Sequence, residues 1–354
     1  MNRAEIIEGG TERSTAGAPA SRLEPFRPGW WIRGPHRQTV WNRLFRRQVE
    51  VTTTRARWTT PDGDFLDLEF ADGPVASPQL LVVHGLEGSS RRKYVRGLLA
   101  LAVARGWRGV ALNFRGCSGT LNRGPRLYHS GETGDLDWVI GELAKRDPGA
   151  SILPVGVSLG GNVLLKWLGE EGSAATDEVR AAVAISVPFD LAQSAQQMSR
   201  GAGRLYTHFF LKTLKPKALA KARQFPGVLD EATIRRARNW KQYDDAATAR
   251  LHGFRDADDY WAQSSSMRYL DAIRRPTLLI SAADDPFIPE SCLPREIVER
   301  SAWLEAEFTE RGGHAGFVSG SLPWRPFYWA EHRAVEFLAG FVATIRPPAK
   351  TVNE

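Results

Sequence analysis

The chain has 354 residues, of which 42% are hydrophobic, enough for a sizeable core with an insertion. Its net charge is +7, but the charged residues are mostly scattered, so we do not expect nucleic-acid binding. Two cysteines are too few for a disulfide framework. The chain has no run of eighteen apolar residues, which argues against a transmembrane segment, and residues 1–20 have no apolar core, which argues against a secretory signal. We therefore expect a cytoplasmic protein.

The N-terminal region divides into two parts. Residues 1–24 are rich in small and polar residues, which predicts a flexible tail. Residues 25–57 combine arginine with tryptophan, and a short helix is predicted there. Its apolar face consists of Val40, Trp41, Leu44 and Phe45. A basic amphipathic helix can lie on a membrane, which would give a weak peripheral membrane contact. We favour the other interpretation, in which this face packs on its own domain.

Strand and helix patterns alternate through the next part of the chain. A turn signal at Pro61-Asp62-Gly63 separates two strands and predicts a β-hairpin. The predicted strands are 58–60, 65–70, 80–83, 109–114, 152–157 and 181–187, with helices at 95–104 and 135–145. Such alternation predicts an α/β fold with a mainly parallel central sheet and helices on both faces. Residues 25–187 would form the N-terminal part of this core.

From residue 188 to residue 275 the alternation stops and the sequence becomes helix-prone. Because this insertion follows the sixth strand, it would lie over the strand ends. We interpret it as a helical lid that shapes an apolar acyl pocket; the alternative is a helical subdomain that serves stability alone. The sheet then resumes with predicted strands 276–281 and 303–308, followed by a helix at 329–343. Residues 276–346 would form the C-terminal part of the core, and residues 347–354 a tail.

The pattern Gly156-Val157-Ser158-Leu159-Gly160 joins strand 152–157 to a helical pattern. The five residues alone are a weak signal, but a strand before them and a helix after them are typical of a nucleophile elbow. The two glycines leave room for a strained turn that lifts the serine hydroxyl out of the sheet. We therefore expect Ser158 to be a nucleophile.

A serine hydroxyl needs a base, and the base needs an acid that holds its tautomer. The α/β-hydrolase order is serine, acid, histidine, each in a loop after a strand. Among seven histidines, His314 alone lies in a glycine-rich loop behind a late strand and after a candidate acid. Asp284 and Asp285 are both candidate acids. We favour Asp285, because Pro286 and the residues after it leave the strand as the acid loop of this fold usually does.

Oxyanion stabilisation requires preorganised N–H donors. The backbone N–H of Leu159 follows the nucleophile, and that of Leu86 lies in the loop His84-Gly-Leu-Glu-Gly88 after the third strand. No metal-ligand spacing is visible, so we expect neither a metal nor an organic cofactor.

Several motifs resemble those of a known family. They are Pro35-His-Arg-Gln-Thr39, His84-Gly-Leu-Glu-Gly88, Asn113-Phe-Arg-Gly-Cys-Ser-Gly119, Tyr128-His-Ser-Gly-Glu132, Tyr243-Asp-Asp-Ala-Ala-Thr248, His252-Gly-Phe254, Asp284-Asp-Pro-Phe287 and Gly312-Gly-His-Ala-Gly-Phe317. With these motifs the chain resembles the YheT-like branch of α/β hydrolases, the AB hydrolase type-four family, and the resemblance covers roughly residues 25–345, nearly the whole chain. The resemblance implies carboxylic-ester hydrolysis with Ser158 as nucleophile, Asp285 as acid and His314 as base.

Relatives in this family act on short-chain esters or on acylglycerols and phospholipids, and eukaryotic relatives carry an N-terminal membrane anchor. No such anchor is visible in this chain, which favours a soluble small-molecule ester with a short- to medium-chain acyl group. Acylglycerols remain a further candidate. Amide cleavage or acyl transfer by the same triad, and a catalytically silent fold that binds a hydrophobic ligand, are the alternatives.

Overall fold

The computed structural model describes residues 23–342. Its main sheet has eight strands: β1 (Thr54–Thr59), β2 (Phe65–Ala71), β3 (Gln79–Val83), β4 (Arg108–Asn113), β5 (Ile152–Val157), β6 (Ala182–Ile185), β7 (Thr277–Ala282) and β8 (Leu304–Thr309). The spatial order is β1-β2-β4-β3-β5-β6-β7-β8. Only the β1–β2 and β2–β4 pairs are antiparallel. The predicted mainly parallel sheet is confirmed.

Twelve α-helices are described, and those outside the β6–β7 segment lie around this sheet on both faces. The twelve are α1 (Pro35–Leu44), α2 (Lys93–Ala104), α3 (Gly134–Arg146), α4 (Leu159–Glu171), α5 (Leu191–Met198), α6 (Gly203–Gln224), α7 (Glu231–Arg236), α8 (Trp240–Tyr243), α9 (Ala249–His252), α10 (Ala257–Ser264), α11 (Arg295–Arg300) and α12 (Trp329–Ala339). In β3, Leu80 and Val82 pack with α2 and α12, whereas Leu81 and Val83 pack with α3 and α4. Because both faces are covered, the strand is a continuous apolar run rather than an alternating one.

The segment between β6 and β7 is helical, as the sequence predicts, and contains α5 to α10. These helices form their own apolar cluster around Trp240, Tyr243 and Trp261. The cluster also includes Phe287, which follows the end of β7. The insertion therefore packs on the carboxyl ends of the strands, where ligands of open α/β sheets usually bind.

Most predicted strands agree with the structure within a few residues, and β5 agrees at both ends. β6 ends at Ile185 rather than at residue 187. Ser186 takes a positive φ of 51°, so the chain leaves the strand there. A second sheet, the hairpin of β9 (Val318–Leu322) and β10 (Arg325–Tyr328), was not predicted. The last helix ends at Ala339, earlier than predicted. The proposed tail at 347–354 and nearly all of the tail at 1–24 lie outside the described residues.

Helix α1 agrees only in part with the interpretation that its apolar face packs on its own domain. Val40 and Trp41 are half-buried, and the Trp41 ring contacts that of Trp31. Leu44 and Phe45 are exposed, at 61% and 62% of their accessible surface. The buried side chain of α1 is Gln38, which donates to the Ile32 and Val318 carbonyls and accepts from the Val318 N–H. The helix is thus held by polar contacts. Within residues 23–342, no helix is long and apolar enough to cross a bilayer.

Candidate active site

Ser158 lies at the sharp turn between β5 and α4. Its backbone has φ 55° and ψ −121°, a strained conformation for a residue other than glycine. Gly160 is required by close packing, since a Cβ there would lie 2.2 Å from the Val83 carbonyl oxygen. A Cβ on Gly156 would lie 2.5 Å from the Gly160 oxygen. The two glycines of the predicted elbow therefore permit the strand and helix to approach closely.

The structure brings Ser158, His314 and Asp285 together. His314 Nε2 lies 2.8 Å from Ser158 Oγ, and His314 Nδ1 lies 2.8 Å from Asp285 Oδ2. Asp285 is buried and its other oxygen, Oδ1, accepts the Phe287 N–H at 2.8 Å. This arrangement allows the imidazole to donate from Nδ1 to the carboxylate and to accept the serine proton at Nε2.

Asp284, the alternative acid, is directed elsewhere. Its Oδ1 accepts the Gly313 N–H at 2.8 Å, so it supports the backbone of residues 312–317, the histidine loop. Burial raises the pKa of Asp284 above its ordinary value. The two neighbouring carboxylates therefore have different contacts, one with the imidazole and one with the main chain that carries it.

Helix α1 supports the histidine loop, a role that the sequence did not predict. His314 N–H donates to Thr39 Oγ1 at 2.9 Å, and Asn42 Nδ2 donates to the Ala315 carbonyl at 2.7 Å. The loop is tightly packed, since a Cβ on Gly313 would lie 2.5 Å from the Pro35 oxygen. The motif Pro35-His-Arg-Gln-Thr39 was visible in the sequence, but nothing in it indicated which distant loop it contacts.

The loop after β3 brings Leu86 beside the elbow. A Cβ on Gly85 would lie 3.1 Å from Ser158 Cβ, which shows how closely this loop approaches the serine. The Leu86 N–H has no hydrogen-bond acceptor within the described part of the chain. Leu159 is the first residue of α4, so its N–H has no partner within the helix. Both predicted oxyanion donors are thus next to the serine in backbone segments that leave their N–H groups available.

His84 belongs to this loop and is completely buried. Its Nδ1 lies 2.8 Å from the Gly85 oxygen, and its Nε2 accepts the Phe114 N–H at 3.3 Å. Burial lowers the pKa of His84 to about 4, so the imidazole is neutral at pH 7. These contacts make His84 a support of the loop backbone rather than a base.

A half-buried polar cluster joins the same loop to the insertion. Glu87, at a positive φ of 52°, accepts the Tyr128 hydroxyl proton at 2.8 Å and the Lys217 ammonium at 2.7 Å. The Glu87 N–H in turn donates to the Tyr128 oxygen at 2.8 Å. Burial alone would lower the pKa of Lys217, but Cys117 and Glu87 raise it above its ordinary value. Lys217 comes from α6, so the insertion contributes directly to the position of the loop that carries Leu86.

Ser158 and His314 open into an apolar cavity of about 130 Å³. Much of its wall comes from the insertion and consists of Leu191, Met198, Phe210, Leu214, Trp240, Tyr243 and Trp261. Phe287 closes one side and lies with its ring centroid 4.2 Å from that of His314. The cavity therefore provides an apolar environment directly at the serine hydroxyl.

One side-chain cluster in the described residues has the composition of a metal site. The donor atoms of His129, Glu132 and His252 lie within 4.8 Å of one another. His129 Nδ1, however, accepts the Gly131 N–H at 3.1 Å, which leaves the proton on Nε2, the atom that faces Glu132. A metal-bound histidine normally donates from its second nitrogen. Glu132 also binds Arg126 at 2.7 Å, so this cluster does not fit a metal ion.

Comparisons with known proteins agree with this architecture. A family model described as alpha/beta hydrolase fold matches residues 78–318. YheT of Escherichia coli (strain K12), a protein named as an esterase, is 42% identical over 312 residues, which are 87% of this chain and 91% of YheT. Phospholipase ABHD3 of Mus musculus is 29% identical over 309 residues, covering 85% of this chain and 75% of the relative.

A solved structure of the esterase Pf2001 from Pyrococcus furiosus has a TM-score of 0.54 at 17% identity, covering 90% of this chain and 99% of that one. At that identity the likeness concerns the fold alone. The family match and the similarity to YheT extend over most of the chain. The chain is therefore a member of the α/β-hydrolase family and belongs to its YheT-like branch.

Proposed function

We propose that this protein hydrolyses carboxylic esters through an acyl-enzyme on Ser158. The observation that carries the proposal is the continuous hydrogen-bonded series from Ser158 Oγ through His314 to Asp285, with 2.8 Å at each step. A serine next to a histidine whose second nitrogen faces a buried carboxylate is the arrangement required for nucleophilic acyl transfer.

In the proposed reaction Ser158 Oγ attacks the ester carbonyl while His314 Nε2 accepts the hydroxyl proton. Asp285 stabilises the imidazolium, and the N–H groups of Leu86 and Leu159 receive the negative charge of the carbonyl oxygen. Collapse of the tetrahedral intermediate expels the alcohol, which takes the proton from His314. Water then attacks the acyl-enzyme, with His314 as its base, and the acid is released as Ser158 regains its proton.

The cavity supports a substrate with an apolar acyl group of short to medium length. Its apolar wall comes largely from the insertion, so we propose that residues 188–275 act as a lid over a core formed by residues 25–187 and 276–346. Relatives named as an esterase, a phospholipase and a monoacylglycerol lipase support ester hydrolysis and leave acylglycerols as a further candidate substrate.

A fluorophosphonate probe tests the nucleophile, and p-nitrophenyl esters from acetate to palmitate test the acyl preference. We expect labelling and hydrolysis in the wild type and neither in Ser158→Ala. Ser194→Ala is the matched control, since Ser194 also lines the cavity but donates to the Asp190 carbonyl. Labelling that survives in Ser158→Ala would assign the nucleophile to another residue, and an inert wild type would refute the proposal.

A further inference from the structure

An aromatic ridge joins the N-terminal segment to the β9–β10 hairpin. Trp30 and Trp31 donate from Nε1 to backbone oxygens of β9, at 2.9 and 3.0 Å. The Trp31 ring lies 4.7 Å from that of Trp41, whose ring lies 4.9 Å from that of Phe45. These contacts place side chains from the segment before α1 and from the C-terminal end of α1 beside the hairpin.

The outer side of this ridge is unusually exposed for apolar residues. Trp30, Leu44, Phe45 and Trp324 are exposed at 67%, 61%, 62% and 69%. Trp324 lies in the turn between β9 and β10, the hairpin that binds Trp30. Single exposed apolar side chains are ordinary, but a group that shares one surface indicates an interaction site.

The same surface carries positive charge without internal neutralisation. Residues 25–57 contain eight arginines and one acidic residue. The side chains of Arg33, Arg37, Arg43 and Arg47 are exposed, and none has an acidic partner in the part of the chain that the structure describes. In contrast, the buried Arg46 is paired with Glu331. The unpaired guanidinium groups are therefore available to an external anion.

We propose that this basic aromatic surface, formed by residues 30–47 and the β9–β10 hairpin, docks on an anionic phospholipid bilayer. Tryptophan favours the boundary between lipid headgroups and acyl chains, and arginine binds lipid phosphates while its stem contacts apolar groups. Leu44 and Phe45 supply apolar area that a lipid surface would bury. A nucleic acid would match the charge but would leave Leu44 without a favourable environment.

Docking here would bring the bilayer close to the candidate active site. Helix α1 carries both the exposed face and Thr39, which accepts the His314 N–H. His36 of the same helix contacts Tyr206 of the insertion, with ring centroids 5.8 Å apart. The inference concerns binding and does not depend on the proposed hydrolysis, so it is tested by a binding measurement.

The test is flotation of the full chain with vesicles of phosphatidylcholine containing about 30% phosphatidylglycerol, compared with phosphatidylcholine alone. We expect binding to the anionic vesicles that weakens as salt is added. The triple variant Arg37→Gln, Arg43→Gln, Arg47→Gln should reduce partitioning on the order of 100-fold, at about one kilocalorie per mole for each arginine. A matched control removes three arginines near the amino ends of the strands: Arg105→Gln, Arg180→Gln and Arg274→Gln.

A second pair of variants tests the apolar part. Trp324→Ser should weaken vesicle binding, whereas Val75→Ser, which changes a residue that is 90% exposed before β3, should not. Absence of wild-type binding would overturn the proposal, as would equal binding to neutral vesicles or equal losses in both triple variants. Binding to duplex DNA without binding to vesicles, or a dimer disrupted by Trp324→Ser without vesicle binding, would assign the surface to a different partner. Thermal unfolding of every variant establishes that each is folded.

Discussion

The two neighbouring aspartates offer a sharp test of the candidate triad. In Asp285→Asn the amide oxygen should take the position of Oδ1, because the Phe287 N–H donates there at 2.8 Å. The amide NH₂ would then face His314 Nδ1, 2.8 Å away. Nδ1 would have to accept, so the ring proton would lie on Nε2. An imidazole with a proton on Nε2 cannot take the Ser158 proton.

The expected loss in kcat is about 10⁴-fold, the usual effect of enforcing the wrong tautomer. This corresponds to about 5.5 kcal/mol in the activation free energy. Asp284→Asn is the matched control. Its amide oxygen can still accept the Gly313 N–H that Asp284 accepts at 2.8 Å, so we expect a loss of less than about tenfold.

Both variants are assayed with p-nitrophenyl butyrate, with kcat and KM measured over a range of pH. Thermal unfolding establishes that each variant is folded. The reasoning is refuted if Asp285→Asn loses less than about tenfold, or if Asp284→Asn loses as much as its neighbour, because the tautomer explanation requires a difference of about a thousandfold between them.

Three further predictions concern the support of the site. Gly160→Ala would place a Cβ 2.2 Å from a backbone oxygen of β3 and should lower the free energy of unfolding by about 3 kcal/mol or more. Gly141→Ala is the control, since a Cβ there meets nothing within 4 Å and should not lower it. Urea unfolding measures both variants. Lys217→Met leaves the Glu87 carboxylate without its cation, in the loop that carries Leu86. We therefore expect kcat to fall by roughly 10- to 100-fold with KM little changed, and to be largely restored in Lys217→Arg. An equal loss in both variants would contradict a charge effect. Burial raises the pKa of Asp244 to about 6, so between about pH 4 and pH 6 the folded state holds a proton that the unfolded chain releases, and the free energy of unfolding falls as the pH rises through this window. Asp244→Asn should remove that fall. The free energy of unfolding of the variant minus that of wild type should therefore be about 2 to 3 kcal/mol larger at pH 7 than at pH 4. If this difference does not change with pH, the carboxyl group does not titrate in this window.

Local sequence determined the core elements. The run 152–157 is apolar along its whole length, because a central parallel strand is covered on both faces, and its ends were predicted correctly. The nucleophile elbow can also be recognised from the sequence, since it needs glycines at fixed positions between one strand and one helix. Both features depend on residues within a few positions of each other, so their physical causes are present in the local chain.

Contacts between distant residues were decided by the tertiary structure alone. Ser158 and His314 are 156 positions apart, and only the parallel order of the sheet brings their loops to one edge. Sequence could rank Asp284 and Asp285, but the direction of each carboxylate depends on how a loop 29 positions away packs against them.

Helix α1 shows that a local pattern does not determine which residues become buried. Its apolar pattern was recognised correctly, yet Leu44 and Phe45 are exposed. The helix instead turns Gln38 toward Ile32 and Val318, and Asn42 toward Ala315 in the histidine loop, where backbone groups need partners. A periodic pattern shows that a helix has an apolar side, but whether another element covers that side depends on packing across the whole fold.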